Sequence, residues 1–340
     1  MTDPAELFEA MRDEMEQVLI GNEAVVEGLA VALFSRGHVL LEGVPGVAKT
    51  TIAHLFARSS GLEYNRIQMT PDILPADITG TYIYRENVGE FELRRGPLFA
   101  NVVLADEINR ATPKTQSALL EAMQEQRVTI ENETLDLPEP FIVIATQNPI
   151  EMEGTFTLPE AQRDRFQLKL TVDLPERAEE GKLLDRFDDE SDLGPRSVER
   201  VVTEEELLDA RDAVADVYVD DRIKEYIIDV VEATRGRSDV EYGASPRASL
   251  AFLDTTKARA AIRGREYVIP DDVKALAEPI LAHRIVRSTE AELSDVSHTD
   301  IVADVLDSVE PPSAEAVIRE AEEDAETAPV SDGGDAVDEE

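Results

Sequence analysis

Apolar residues recur every three or four positions near the start of the chain, which predicts an amphipathic helix over residues 4–19. A Gly-Asn pair ends this helix, and a second one is predicted over residues 23–34. The pattern then changes to a short apolar strand over residues 38–41, and a further helix is predicted over residues 52–59. The chain thus begins with two helices and then alternates strand and helix.

Two continuous apolar runs, residues 101–105 and 141–145, are typical of strands buried on both faces, and residues 115–126 between them predict a helix. Such strands, separated by helices, predict an α/β fold with a parallel sheet covered on both sides. Residues 81–95 and 127–137 alternate instead around polar centres. This alternation predicts two β-hairpins that project from the core.

The second half of the chain has a different pattern, which predicts helices over residues 204–217, 221–236, 246–263, 270–282 and 299–308. We therefore expect an α/β core of residues 1–187, a linker of residues 188–200 and a smaller, all-helical lid domain of residues 201–310. Residues 311–340 form an acidic tail, which we expect to be disordered apart from a transient helix near its start.

The chain has 33 Lys and Arg against 73 Asp and Glu, a formal net charge of −40. The acids are spread along the whole chain, which favours a solubility adaptation to a salty, halophile-like cytoplasm over a specific basic partner. This balance also argues against a broad nucleic-acid-binding surface, although a small basic pore lining stays possible.

The chain contains no Cys, which excludes disulfides and thiolate metal sites. Its start is polar and acidic, and no apolar run approaches the roughly 20 residues of a membrane-spanning helix. We therefore expect a cytoplasmic protein without a signal peptide or a membrane span.

A glycine-containing segment between the strand at 38–41 and the next helix has the position of a phosphate-binding loop. Its residues are Gly43, Val44, Pro45, Gly46, Val47, Ala48, Lys49 and Thr50, followed by Thr51. Such a loop surrounds phosphates with backbone N–H groups at a helix N-terminus, while Lys49 binds the β- and γ-phosphates and Thr50 binds Mg²⁺. Ala48 stands where the general pattern has Gly, so its backbone either avoids positive φ or is strained.

Polar side chains follow the next two apolar strands. Asp106 and Glu107 come directly after residues 101–105, and Asn148 comes shortly after residues 141–145. We expect Asp106 to hold Mg²⁺, Glu107 to deprotonate or position the attacking water, and Asn148 to orient that water. The alternative for each residue is that it is an ordinary polar residue in a turn at the end of a strand.

Together these motifs resemble the AAA+ superfamily, and longer segments resemble its MoxR family. The segments are residues 43–50, 68–80, 96–101, 104–125, 145–149, 158–162 and 164–166, within a likeness that covers roughly residues 15–290. Ala before the loop lysine is usual in MoxR proteins. The resemblance implies an ATPase with ATP and Mg²⁺ as cofactors, assembled as a homo-oligomeric ring, which we expect to be a hexamer.

The resemblance also implies roles that the pattern alone does not give. Arg165 would be the arginine finger that reaches the ATP of a neighbouring subunit, with Arg163 as a rival, and Arg247 would connect the lid to the nucleotide. The two hairpins would face a central pore and engage a client protein. MoxR proteins commonly work with a partner that contains a von Willebrand factor A domain.

Three alternatives stay open at this point. One is a nucleic-acid motor of the related MCM-type branch, which the acidic tip at residues 131–133 disfavours. Another is a chelatase motor subunit that inserts a metal into a cofactor, which shares the same ATPase chemistry. The third is a non-catalytic ATP-binding scaffold, against which the complete set of expected catalytic residues argues.

Overall fold

A computed structural model describes residues 2–87, 89–149, 155–190 and 193–327, and for residues 322–327 it describes the backbone alone. The strands of the first 190 residues are β1 (Val39–Glu42), β2 (Tyr64–Gln68), β3 (Gly80–Arg85), β4 (Glu90–Arg95), β5 (Val102–Asp106), β6 (Arg127–Ile130), β7 (Glu133–Asp136), β8 (Ile142–Gln147) and β9 (Leu168–Thr171).

The helices of the same part are α1 (Pro4–Glu16), α2 (Glu23–Phe34), α3 (Lys49–Ser59), α4 (Pro75–Thr79), α5 (Pro113–Glu125), α6 (Glu160–Arg163) and α7 (Arg177–Asp189), with one 3₁₀ turn at Ile108–Arg110. Helix α7 thus ends two residues inside the predicted linker 188–200. The domain boundaries stay a prediction.

The central sheet is parallel and has the strand order β2-β5-β8-β1-β9. Apolar side chains of its inner strands alternate between two buried clusters, one on each face of the sheet. Val39 and Leu41 of β1 belong to one cluster, and Leu40 belongs to the other. The α/β fold with a parallel sheet covered on both faces is therefore confirmed.

The pattern did not predict the two edge strands, β2 and β9. Strand β2 has the sequence Tyr-Asn-Arg-Ile-Gln, and only Ile67 in it is fully buried. Strand β9 is four residues long and alternates buried with less buried positions. Edge strands contact fewer neighbours, so they need fewer apolar residues and carry a weaker sequence signal.

Both predicted hairpins are present, as the antiparallel pairs β3–β4 and β6–β7. A hydrogen bond from the Tyr82 hydroxyl to the Glu133 carboxylate joins one hairpin to the other. The first hairpin also carries an exposed ring pair, Tyr84 and Phe91, whose centroids lie 5.2 Å apart. The hairpins are therefore in contact with each other, and the β3–β4 hairpin exposes aromatic surface.

The lid is helical as predicted, and the predicted helices are α8 (Glu204–Ala215), α9 (Asp221–Ala233), α10 (Pro246–Ile262), α11 (Pro270–Leu281) and α13 (His298–Ser308). The short helix α12 (Thr289–Leu293) was not predicted. A short antiparallel ribbon, β10 (Val240–Tyr242) with β11 (Val286–Arg287), was not predicted. Helix α14 (Ala314–Thr327) lies where the transient helix of the acidic tail was predicted, and the predicted disorder of the tail beyond it lies outside the described residues.

The interior of the lid is continuous with one face of the sheet. Helix α1 packs against α3 of the core and against α8 and α10 of the lid, and the three parts share one apolar cluster. Within the described residues, every helix is too short or too polar to cross a lipid bilayer.

Candidate active site

The phosphate-type loop connects β1 directly to α3. Gly46 has φ +89°, and a Cβ there would meet no atom within 4 Å, so its backbone conformation alone requires glycine. Ala48 has φ +62°, which is the strained alternative of the two that the sequence allowed. The loop therefore holds a left-handed alanine immediately before the helix.

Gly43 is required for a different reason. A Cβ at this position would lie 2.4 Å from the carbonyl oxygen of Val172, which follows β9. The loop therefore packs against the chain that leaves the edge strand, and the sequence pattern gave no sign of this close approach.

Lys49 turns back into the loop. Its Nζ donates to the carbonyl oxygens of Gly43 at 2.5 Å and Val44 at 2.9 Å. Thr50 and Thr51 follow in the first turn of α3, where backbone N–H groups have no partner within the helix. The ammonium group and the helix N-terminus thus lie at the same loop, an arrangement suited to an anion.

The carboxyl ends of β1, β5 and β8, here called the carboxyl edge, lie side by side because these strands are neighbours in the sheet. Asp106 ends β5, and its Oδ1 accepts from the hydroxyl of Thr146 on β8 at 2.6 Å. The same hydroxyl accepts from the backbone N–H of Glu107 at 2.9 Å. Thr146 therefore ties the two acidic residues to β8, close to the buried Asn148.

Strand β2 supplies further partners that the sequence reasoning missed. Arg66 donates to Asp106 Oδ2 from Nε at 3.1 Å and from Nη2 at 2.5 Å. Gln68 Nε2 donates to Glu107 Oε2 at 2.8 Å, and so does Arg110 Nη1, also at 2.8 Å. These donors fix both carboxylates at the carboxyl edge. Arg66 and Gln68 were missed because β2 itself was not predicted, whereas Arg110 lies in the 3₁₀ turn that follows β5.

Arg165 lies elsewhere, beside α5. Its Nη1 donates to the carbonyl oxygen of Leu120 at 2.7 Å, and its side chain lines a cleft of about 610 Å³ between α5 and the β6–β7 hairpin. Among the described residues, Arg163 and Arg165 each keep a buried Nε without a hydrogen-bond partner. The choice between these two arginines as the finger therefore stays a prediction.

Helix α10 begins at Pro246, where the sequence pattern places it, and Ser245 Oγ accepts from the backbone N–H of Arg247 at 3.2 Å. Its side chain is about half exposed, and Nη1 lies 3.6 Å from Asp164 Oδ2. Arg247, Asp164 and Arg165 line one pocket of about 230 Å³, which also includes His38. The structure therefore brings Arg247 next to Arg165.

Residues 164–167 are held by the lid, and together with Ser245, Arg247, His283 and Arg284 we call them the core–lid junction. Arg284 Nε donates to Asp164 Oδ1 at 2.8 Å, and His283 Nε2 lies 2.9 Å from the Phe166 carbonyl oxygen. Burial lowers the pKa of the Arg284 guanidinium, and the Asp164 carboxylate opposes this effect. Burial also lowers the pKa of His283 well below its usual value.

A parallel five-stranded sheet, a phosphate-type loop after its β1 strand and a helical lid define an AAA+ protein. The ATPase family associated with various cellular activities (AAA) matches residues 38–168, and the AAA lid domain family matches residues 232–305.

Similar proteins identify the family within the AAA+ class. The chain is 44% identical to "Chaperone MoxR1" of Mycobacterium tuberculosis, over 89% of this chain and 82% of that protein. It is 43% identical to the uncharacterized protein YeaC of Bacillus subtilis, over 90% of this chain and 95% of that one. A crystal structure of a candidate ATPase from Cytophaga hutchinsonii superimposes with a TM-score of 0.85 at 39% identity, covering 91% and 96% of the two chains. The chain belongs to the MoxR family of AAA+ ATPases.

Proposed function

We propose that this chain hydrolyses ATP with Mg²⁺ in a hexameric ring of identical subunits and uses the energy to remodel or mature client proteins. The observation that carries the proposal is the carboxyl edge, where the loop bearing Lys49 and the strand end bearing Asp106 and Glu107 lie side by side. Membership of the MoxR family supports the same conclusion.

In this proposal the loop of residues 43–48 and the first turn of α3 bind the phosphates through backbone N–H groups. Lys49, which contacts loop carbonyls in the structure, binds the β- and γ-phosphates. The hydroxyl of Thr50 and the carboxylate of Asp106 are oxygen donors of the kind that Mg²⁺ prefers. When bound, the ion neutralises charge on the phosphate oxygens.

Glu107 then accepts a proton from the attacking water, and Asn148 orients that water. Gln68 and Arg110 fix the Glu107 carboxylate, which limits its freedom before reaction. Arg165 stabilises the charge on the ATP of the neighbouring subunit. Arg247 lines the same pocket as Arg165, which supports action of both arginines at the ATP of the neighbouring subunit. Because Arg247 belongs to the lid, it would connect the lid to that nucleotide.

The hairpins are the part we assign to the client. Phe91 is 69% exposed and Tyr84 52%, an exposed aromatic pair that an apolar client segment can contact. The hydrogen bond between Tyr82 and Glu133 lets a displacement of the β6–β7 hairpin reach the β3–β4 hairpin. A von Willebrand factor A domain protein is the partner that the family resemblance suggests.

Replacing Glu107 by Gln tests the catalytic part of the proposal. Gln keeps the size and the hydrogen-bond acceptor but cannot take up a proton, so we expect phosphate release to fall about 100-fold or more. Binding of Mg²⁺–ATP should stay within about two-fold of the wild type, because Glu107 contacts the water and not the phosphates. Binding of a fluorescent ATP analogue and phosphate release measure the two quantities.

The matched control is Glu225→Gln, an exposed carboxylate on α9 of the lid. This variant should hydrolyse ATP at the wild-type rate. Wild-type turnover in Glu107→Gln would remove Glu107 from its proposed role, and failure of the wild type to bind Mg²⁺–ATP would remove the whole proposal.

Mixing inactive subunits tests the finger. Arg165→Ala and Glu107→Gln chains should each be inactive alone, and a mixture should regain activity. In a mixed ring some interfaces combine an intact Glu107 with an intact Arg165 from the neighbour. No gain on mixing would leave the finger in trans without support, and full activity of Arg165→Ala alone would exclude it.

A further inference from the structure

Arg284 follows α11 at the core–lid junction, and its side chain is only 3% exposed. Besides the bond to Asp164, its Nη2 donates to the carbonyl oxygen of Phe166 at 2.8 Å, and Nη1 lies 3.1 Å from that of Gln167 and 2.5 Å from that of Ile280. A single guanidinium group therefore links the end of a lid helix to both residues that flank Arg165.

Other contacts restrain the same segment. Ser245 Oγ donates to Asp164 Oδ2 at 3.2 Å, so the start of α10 and the end of α11 both hold this carboxylate. The Phe166 ring is fully buried in the core, and its carbonyl oxygen is also contacted by His283 of the lid. The backbone around Arg165 is thus fixed to the core on one side and to the lid on the other.

A finger works only when its guanidinium stands at hydrogen-bond distance from the transferred phosphate oxygens, and a displacement of about 1 Å from that position can cost 100-fold in rate. The fork of Arg284 is planar and satisfies the Asp164 carboxylate and three carbonyl oxygens at once, so it fixes the orientation of the segment. As long as the hydrogen bonds of Arg284 are kept, a movement of the lid must also move residues 164–167.

We propose that Arg284 is a positioning residue that makes the presentation of Arg165 to the neighbouring subunit depend on the position of the lid. The proposal rests on the assignment of Arg165 as the finger in the proposed function. Arg284 itself contacts no nucleotide in this scheme, and it acts through Asp164 and the backbone of residues 166–167.

The variant to examine is Arg284→Lys, which keeps the positive charge but replaces the planar fork by a point charge that cannot hold all of these oxygens in one plane. We expect kcat for ATP hydrolysis to fall about 100-fold. The KM for ATP should stay within about two-fold of the wild-type value, since Lys49 and the loop of the same subunit are untouched.

Mixing then decides in which subunit Arg284 acts. Arg284→Lys chains mixed with Glu107→Gln chains should regain activity, because the first supply an intact Glu107 and the second supply a correctly placed Arg165. Arg284→Lys mixed with Arg165→Ala should gain nothing, since both chains lack a working finger. Size-exclusion chromatography with ATP should show the wild-type assembly for every variant.

The matched control is Arg237→Gln, a lid arginine whose carboxylate partners, Asp239 and Asp304, also belong to the lid. It should keep wild-type kcat. Should Arg284→Lys fold poorly, as judged by thermal unfolding, Asp164→Asn tests the other end of the same bond while keeping the side-chain shape and one acceptor oxygen, with the same behaviour expected on mixing.

Two outcomes overturn the inference while Arg165 stays the finger. One is a wild-type kcat in Arg284→Lys. The other is that Arg284→Lys chains regain no activity when mixed with Glu107→Gln chains, although Arg165→Ala chains do. The second result would place the effect of Arg284 inside its own subunit. If neither mixture gains activity, the finger in trans fails, and the positioning role fails with it.

Discussion

The carboxyl edge and the core–lid junction are both polar regions beside an apolar interior, but they are held in different ways. At the carboxyl edge, each candidate group lies within a few residues of a buried strand, so the sheet itself places it. At the junction, Asp164 and Arg284 are 120 residues apart in sequence and are placed by their own hydrogen bonds. Loss of one side chain should therefore cost little stability at the edge and much more stability at the junction.

The largest expected effect on stability comes from Asp164→Ala. Arg284 is almost fully buried, and removal of its carboxylate partner should lower the free energy of unfolding by about 3 kcal/mol. Asp106→Ala is the matched change at the carboxyl edge. Its charged partner Arg66 is 49% exposed and can be solvated, and the Thr146 hydroxyl loses one acceptor, so the loss there should be smaller, about 1 kcal/mol.

Urea unfolding measures both variants and separates them. Phosphate release should fall in both, because Asp106→Ala loses the carboxylate proposed to hold Mg²⁺ and Asp164→Ala loses the contact that positions Arg165. Equal losses of stability in the two variants would break the comparison. It would mean that the edge depends on its side-chain pairs as much as the junction does.

A smaller effect concerns pH and the buried His283. Its pKa lies well below the usual 6.5, first because of burial and then because of the charge of Arg284. Below pH 6.5 the unfolded chain binds a proton that the folded chain does not, so the free energy of unfolding falls as the pH falls. His283 contributes a slope of about 1.4 kcal/mol per pH unit in that range.

The variant His283→Gln keeps a donor for the Phe166 carbonyl oxygen and removes the titration. Urea unfolding at pH 5, 6, 7 and 8 should show a shallower decline in this variant than in the wild type. His38, whose pKa burial lowers to about 4, stays in both chains and serves as the internal reference. Identical slopes would mean that His283 is protonated in the folded chain.

The smallest expected effect lies at the carboxyl edge, at Ala48. Its left-handed backbone costs about 1 kcal/mol, which glycine would relieve in part at the expense of greater freedom in the unfolded chain. Ala48→Gly should therefore raise the free energy of unfolding by up to about 1 kcal/mol. Ala53→Gly, inside α3, should lower it, and a loss of stability in both would contradict the strain at Ala48.

The inner strands and the carboxyl edge could be predicted because their signals are local. Buried strands such as β5 and β8 are short apolar runs, and acidic residues that follow them directly are visible in the sequence. Thr146 also follows such a run, and its hydroxyl could have been considered, but nothing in the sequence indicates which strand it contacts.

The remaining features depend on distant contacts. Arg66 and Gln68 belong to an edge strand without a continuous apolar run, so neither their strand nor their partners were predicted. Arg284 follows an amphipathic helix and resembles an ordinary solvated arginine until the fold places it against residues 164–167. The need for glycine at position 43 likewise arises from its contact with Val172, which is distant in the chain.

Helix α1 has a consequence for how this chain can be divided. It lies between α3, which follows the phosphate-type loop, and the lid helices α8 and α10. Arg186 of α7 donates to the carbonyl oxygens of Glu16 and Gln17 at the end of α1. Removal of the first 16 residues would take away Met11 and Met15 and expose the apolar residues of the core and the lid that pack against them. Expression of residues 201–310 by themselves would expose the lid side of the same apolar cluster. Such fragments should aggregate, and only the intact polypeptide should yield a well-behaved sample.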